Sequence, residues 1–224
     1  MKQVYFALIF SASFLNPNCS YAQDVHIPEP GEGFSFNTSF LMIAGVPDGY
    51  APGLIANSQE FQLIRENHIG LSHFGVAYGL GYSGHFYHGN LHIHVDENGT
   101  QSVRDLTGQP YKSNRFATEY IDGLIELRYR GKTNKNGRYN RVYVGGVLGY
   151  KVDAYSYQNS DSYRVKFYNV DGFNTLRYGL YAKVGRGQFN LFYFYGLSPI
   201  VTSGPMLPDW SNATSQNIGL SITL

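Results

Sequence analysis

The chain has 224 residues, with 17 Lys and Arg against 16 Asp and Glu and a formal charge of +1. That balance excludes a basic nucleic-acid surface and an acidic tail, and the length suits one domain with a sizeable core. With 20 Tyr, 15 Phe and 26 Gly, the composition points away from a helical bundle and towards a β protein with close backbone approaches.

The chain opens with Lys2 and a short, mostly apolar run from Val4 to Leu15. Ser20 and Ala22 then sit three and one residues before a cut ahead of Gln23. This is the pattern of a secretory signal peptide over residues 1–22, too short and wrongly flanked for a membrane helix. Cys19, the single cysteine, follows "NPN" rather than small or aliphatic residues, so lipidation is not expected. Cleavage after Ala22 leaves a mature chain with no disulfide. Residues 23–32 carry prolines and read as a periplasmic lead-in, followed by a barrel over 33–224. No later segment approaches the ~18 apolar residues of a membrane helix.

From residue 33 onwards, alternation dominates. Phe34, Phe36, Phe40 and Met42 share one face of a first strand, and "QEFQLIRE" (59–66) is a second, the weakest of the set. In "FGVAYGLGYSGHF", Phe74, Val76, Tyr78, Leu80 and Tyr82 oppose Gly75, Ala77, Gly79, Gly81 and Ser83. Within it "GLGYSG" spells the dinucleotide-binding pattern, but that motif needs a helix opening at its third glycine, and none is predicted. The period here is two, which means a strand.

Ile121, Ile125, Leu127 and Tyr129 oppose Asp122, Glu126, Arg128 and Arg130. Val142, Val144, Leu148, Tyr150, Val152 and Ala154 oppose Arg141, Tyr143, Gly145, Gly149, Lys151 and Asp153. Leu176, Tyr178, Leu180, Ala182 and Val184 oppose Arg177, Gly179, Tyr181 and Lys183. "FNLFYFYGL" (189–197) is apolar on both faces and has no orientation from sequence. Ile218, Leu220, Ile222 and Leu224 oppose Asn217, Gly219, Ser221 and Thr223 at the end.

Eight strands result. Long polar stretches (46–57, 87–116, 157–172, 198–213) alternate with the short links "RENH", "GKTNKNGR" and "GRG". Long loops on one rim and short turns on the other are the pattern of a transmembrane barrel whose ends are both periplasmic. The fold class read here is therefore all-β: a closed eight-stranded antiparallel transmembrane barrel with long extracellular loops and short periplasmic turns.

A soluble barrel also alternates, with its apolar face inside. Glycine decides between them, because Gly75, Gly79, Gly81, Gly145, Gly149, Gly179 and Gly219 all lie on the polar face. On a solvent-facing surface they would weaken strands without gain. In a narrow lumen they leave room for long side chains. Asp122, Glu126 and Asp153 are then predicted to pair inside with Arg128, Arg141, Lys151, Arg177 and Lys183, since ions withdrawn from water need partners. Tyr78, Tyr82, Tyr129, Tyr150 and Tyr178 fall on the apolar face, where interfacial girdles lie.

"YIDGLIELRYR" with its basic turn, "VYVGGVLGYKVDAYS" and "LRYGLYAKVGRGQFNLFYFYGLSPI" together resemble the PorT-like outer-membrane β-barrel proteins of the Bacteroidota. The closing "NIGLSITL" resembles a barrel-assembly signal in Asn217, Gly219, Ile222 and Leu224, though its last residue is not aromatic. The resemblance implies an eight-stranded outer-membrane barrel. Some members of that family serve type IX secretion, and small barrels of this kind can be accessory subunits of larger machines.

Candidate chemistry is thin. His92 and His94 share a strand face and could begin a metal site, but no cysteine is near and Asp96 and Glu97 are generic neighbours. Ser83 and His85 share strand parity and meet the minimum for acyl transfer to or from lipid A. A third, orienting group has no candidate by spacing beyond Asp96 or Glu97. Eight strands filled by charged side chains should not conduct. Tyr163, Phe167, Tyr168 and Phe173 in the long loops serve equally as partner anchors or as packing on the rim. The reading is a non-catalytic, cofactor-free structural or accessory subunit of a secretion or barrel-assembly complex. Its partners would be membrane lipid and other outer-membrane or periplasmic proteins, with no nucleic acid. A lipid A-modifying enzyme or a free-standing surface-binding barrel is the alternative.

Overall fold

The computed structural model describes residues 32–46, 49–53, 55–70, 72–132, 134–135, 138–202 and 210–224. The signal segment, its cut between Ala22 and Gln23, and all but the last residue of the lead-in lie outside the described residues.

Eleven strands are described: β1 (Glu32–Ala44), β2 (Asn57–His68), β3 (Phe74–His88), β4 (Leu91–Val95), β5 (Gln101–Asp105), β6 (Ser113–Arg130), β7 (Asn140–Asn159), β8 (Arg164–Tyr168), β9 (Leu176–Arg186), β10 (Phe189–Pro199) and β11 (Thr214–Thr223). Eight of them pair antiparallel in the order β1-β2-β3-β6-β7-β9-β10-β11, and β11 pairs back onto β1, so the pairings form a ring. Phe36 stands between Phe61 and Ile222 where the ends meet. These eight coincide with the eight strand segments read from the sequence, seven of them alternating and one, β10, apolar on both faces.

Exposure follows the same alternation. Phe40, Leu63, Leu80, Ile125, Val144, Leu180, Leu191 and Leu220 are exposed, while Ser35, Glu60, Ser83, Glu126, Lys183 and Asn217 are buried. This inverts the arrangement of a water-soluble protein. "FNLFYFYGL" acquires an orientation: Phe192 and Phe194 point into the ring, and Leu191, Tyr193, Tyr195 and Leu197 point out.

Three strands lie in stretches that the sequence reads as loops. β4 and β5 form a separate hairpin, with Ile93 opposite Val103. β8 pairs with the far end of β7, with Ser156 opposite Phe167. Correspondingly, β6 and β7 run for 18 and 20 residues, where a tilted strand needs about 9–11 to cross a membrane. The surplus builds a platform under the long loops. "RENH" is the end of β2 rather than a turn, and the link to β3 follows it. The β9–β10 turn is only two residues, and Gly187 takes φ 63° in it, a conformation that a side chain disfavours.

Over the long-loop end, Leu41, Tyr50, Tyr87, Ile93, Phe116, Val170, Phe173, Val201 and Trp210 form an apolar cluster. Trp210 meets Tyr50 and Phe116 edge-on, and Phe116 stacks on Tyr87. Asn90 ties the first long loop to the β4–β5 hairpin. Its amide donates to Gly49 O, Asp105 Oδ1 and Thr107 Oγ1, and its carbonyl accepts from Ala51 N.

Candidate functional site

The inside of the ring is the most chemically loaded part of the molecule. Alternation turns Glu60, Gln62 and Glu66 of β2, Asp122, Glu126, Arg128 and Arg130 of β6, and Arg177 and Lys183 of β9 inward, and all are buried. In the ring β2 and β9 are four places apart, so a contact between them spans the interior.

Glu126 is the hub. Its carboxylate accepts from Lys183 Nζ at 3.0 Å, Tyr181 Oη at 2.8 Å and Arg128 Nε at 2.6 Å. Arg128 also donates to Glu66 at 2.7 Å, and Arg130 donates to the same Glu66 oxygen. Lys183 reaches across to Gln62 Oε1 at 3.2 Å. Gln62 and Asn37 both donate to Glu60 Oε2, at 3.3 and 2.9 Å, and Arg177 lies 3.7 Å from Glu60 Oε1. A chain of polar contacts thus runs from Arg130 at the short-turn end to Arg177. A buried ion is tolerated only with such partners, and the carboxylate–guanidinium bonds are of the strong, charge-assisted kind.

The glycines make room for these side chains. A Cβ on Gly145 would stand 2.5 Å from Ile125 O and 2.7 Å from the Tyr181 ring, and one on Gly179 would stand 2.5 Å from the Phe194 ring. The inward aromatics therefore lie over bare backbone.

Of the eight residues predicted for the network, Glu126, Arg128 and Lys183 meet directly. Arg177 pairs with Glu60, and its guanidinium lies 4.0 Å from the Phe194 ring centre. Asp122 is buried on the same face and makes no ion pair among the described residues. Lys151 sits at the long-loop rim, donating to Phe173 O at 2.8 Å. Arg141 lies at the short-turn rim, donating to Tyr139 Oη at 2.9 Å.

Asp153 corrects the prediction. The pairing of β6 with β7 shifts at Glu119/Tyr120, where Glu119 faces Asp153 but Tyr120 faces Lys151, leaving Val152 as the extra residue. That bulge reverses parity. Asp153 comes to lie opposite Glu119, whose carboxylate accepts from the exposed Tyr82, and so belongs to the outer face. The sequence missed Glu60, Gln62 and Glu66. Their signal was period two in β2, blurred by Ile64 pointing in and Arg65 lying on the opposite face.

Ser83 and His85 do come together, Oγ to Nε2 at 3.2 Å, and His85 Nδ1 meets Ser58 Oγ at 2.9 Å. All three are fully buried inside the ring. Asp96 is elsewhere, accepting from Asn98 and Thr100 in the β4–β5 turn. His92 is buried, its Nδ1 3.1 Å from Asn114 Oδ1, while His94 meets Phe167 edge-on. Among the described residues no three His, Cys, Asp or Glu gather as metal ligands. Phe173 is buried and Phe167 packs against the apolar cluster that caps the long-loop end, whereas Tyr163 and Tyr168 are exposed. In β11, Asn217 is buried opposite Leu41 and Phe194, and Gly219 opposes Ser39. Ile222 opposes Phe36, and Leu224 exchanges backbone bonds with Phe34.

A strand-rich ring with charge inside and hydrocarbon outside defines a protein of the membrane-barrel class. Residues 58–201 match the outer membrane protein beta-barrel domain, so the chain belongs to that family and is an integral protein of the bacterial outer membrane. No curated protein and no solved structure matches it.

Proposed function

We propose that the protein is a closed, non-catalytic barrel of the PorT-like kind, serving as a structural or accessory subunit of a larger outer-membrane complex for secretion or barrel assembly. Both termini are periplasmic and the long loops face outwards. The ring of pairings, and ring-strand links of 5, 9 and 2 residues alternating with links of 12, 24, 16 and 14, support the closure and the orientation. The observation that carries the non-transporting role is the Glu126–Lys183–Gln62 bridge across the interior, since a lumen filled by bonded side chains offers no conduction path. Contact with other proteins falls to the exposed loop aromatics Tyr111, Tyr163 and Tyr168 and to the outer wall.

Affinity purification of the tagged protein from native outer membranes in mild detergent tests this. Other outer-membrane or periplasmic subunits should co-purify at near-equal amounts. A lone barrel would overturn the accessory reading.

The Ser83–His85 contact is the one observation favouring a lipid-editing enzyme. Both groups face inward with no exposure, and the other ring nitrogen meets a hydroxyl rather than an orienting carboxylate. A deletion strain should therefore keep its lipid A acyl pattern, and an altered pattern would reverse the order of the two readings.

A further inference from the structure

Among the described residues, most of the interior cations have a carboxylate and Arg141 does not. It faces Arg130 across the β6–β7 pair, and like charges placed directly opposite are destabilising. Arg130 is neutralised by Glu66. Arg141 is 8% exposed; among the described residues its Nη2 donates to the neutral Tyr139 Oη and its guanidinium lies 4.8 Å from that ring's centre, while Nε and Nη1 have no hydrogen-bond acceptor. A buried cation with two idle donors calls for an anion.

The surroundings are shaped to admit one. Arg141 lines a pocket of about 430 Å³ at the short-turn end, together with Arg138, Tyr139, Arg186, Gln188 and Phe189. Three of these residues are arginines, and among the described residues no acidic side chain lines the pocket. The turn itself brings them together. Gly187 lets β9 fold back onto β10 in two residues, and a Cβ there would lie 3.7 Å from Arg138 Cγ. Arginine is the side chain best matched to phosphate oxygens. Phe189 is 65% exposed and stands opposite Arg186 on the outer face, so the pocket opens beside the hydrocarbon-facing wall.

We propose that this three-arginine pocket binds a phosphate group, and that its occupant is the headgroup of an anionic inner-leaflet phospholipid whose acyl chains run along Phe189. The lipid assignment rests on the orientation given above, with the short turns at the periplasmic side; the phosphate chemistry does not.

The test uses the full mature barrel in a non-ionic detergent, titrated calorimetrically with two probes: dihexanoyl phosphatidylglycerol and inorganic phosphate. The wild type should bind the short-chain lipid saturably and more tightly than phosphate, with phosphate competing. Arg138→Gln/Arg186→Gln, which leaves the buried Arg141 in place, should weaken both probes about tenfold or more, as expected for losing charge-assisted bonds. Arg141→Gln should do the same, and retained heat-modifiable migration on gels reports that each variant is folded. Phosphate binding with no gain from the acyl chains would overturn the lipid assignment and leave a soluble-anion site. No saturable binding of either probe, or binding unchanged in the variants, would overturn the site itself.

Discussion

At the level of Glu126 the interior is held by charge, and at the level of Trp210 it is held by aromatic rings. The first region is built by strands alone, its groups arriving from β2, β6 and β9 through strict alternation. The second is built by loops, with Tyr50, Phe173 and Trp210 arriving from three different long connections to meet Tyr87 and Phe116. The difference teaches where water is. Inside the narrow ring, long polar side chains bonded end to end share the space with a small apolar cluster of Ile64, Leu124, Val147, Tyr181, Phe192 and Phe194. Beyond the membrane the loops meet water and bury apolar surface as a soluble protein does.

The two regions should fail differently. Glu126→Ala removes the hub of the charged region and strands Lys183 without a carboxylate. The loss should be about 3–5 kcal/mol, read as a lower urea midpoint in lipid vesicles. Pairing it with Lys183→Met should restore part of that stability.

Trp210→Ala should also cost about 3–5 kcal/mol where the side chain packs, but confined to the cap. Limited proteolysis should cut the long loops faster while the heat-modifiable band of the barrel is unchanged. A collapse of the barrel band would mean that the two regions are one cooperative unit.

Gly145→Val drives a side chain into Ile125 O and the Tyr181 ring. It should cost about 1–3 kcal/mol as overpacking, read by the same urea titration. The paired variant Gly145→Val/Tyr181→Ala should give a smaller loss than the two single changes summed.

The smallest effect lies in the hairpin of the cap. The Thr107 hydroxyl and backbone amide, with the Asn90 amide, hold the Asp105 carboxyl below its usual value. A depressed value stabilises the folded hairpin at neutral pH, and that contribution is lost as pH falls through the folded-state value. Amide exchange in β4 and β5 should quicken in acid, after correction for intrinsic rates, while exchange in β9 and β10 should not.

Legibility in the sequence follows the same division. Alternation exposed seven of the eight ring strands, because each has one lipid-facing and one interior side of differing polarity; β10 showed only as an apolar run. The inward glycines were also legible, and Gly145 and Gly179 do lie under inward aromatics. Period-two reasoning fails where the period breaks or where both faces share one polarity. The bulge at Val152 carried Asp153 to the outer face. Phe192 and Phe194 gave β10 apolar character on both sides. Ile64 blurred β2 and concealed Glu60 and Glu66. The strands β4, β5 and β8 pair beyond the ring and pack onto a core assembled from distant loops, so no local pattern announces them. The clustering of Arg138, Arg141 and Arg186 is likewise a product of two turns meeting in space.

The central claim is that the apolar face meets lipid and the charged face fills the interior. Single nitroxide labels along β9 test it directly, placed by cysteine substitution at Tyr178, Leu180 and Val184 on one face and at Arg177 and Tyr181 on the other, in the protein reconstituted into vesicles. Power saturation should show the first three accessible to oxygen and shielded from a water-soluble nickel chelate, with the other two shielded from oxygen. Nickel access at Leu180 with oxygen access at Tyr181 would turn the barrel inside out and contradict the account.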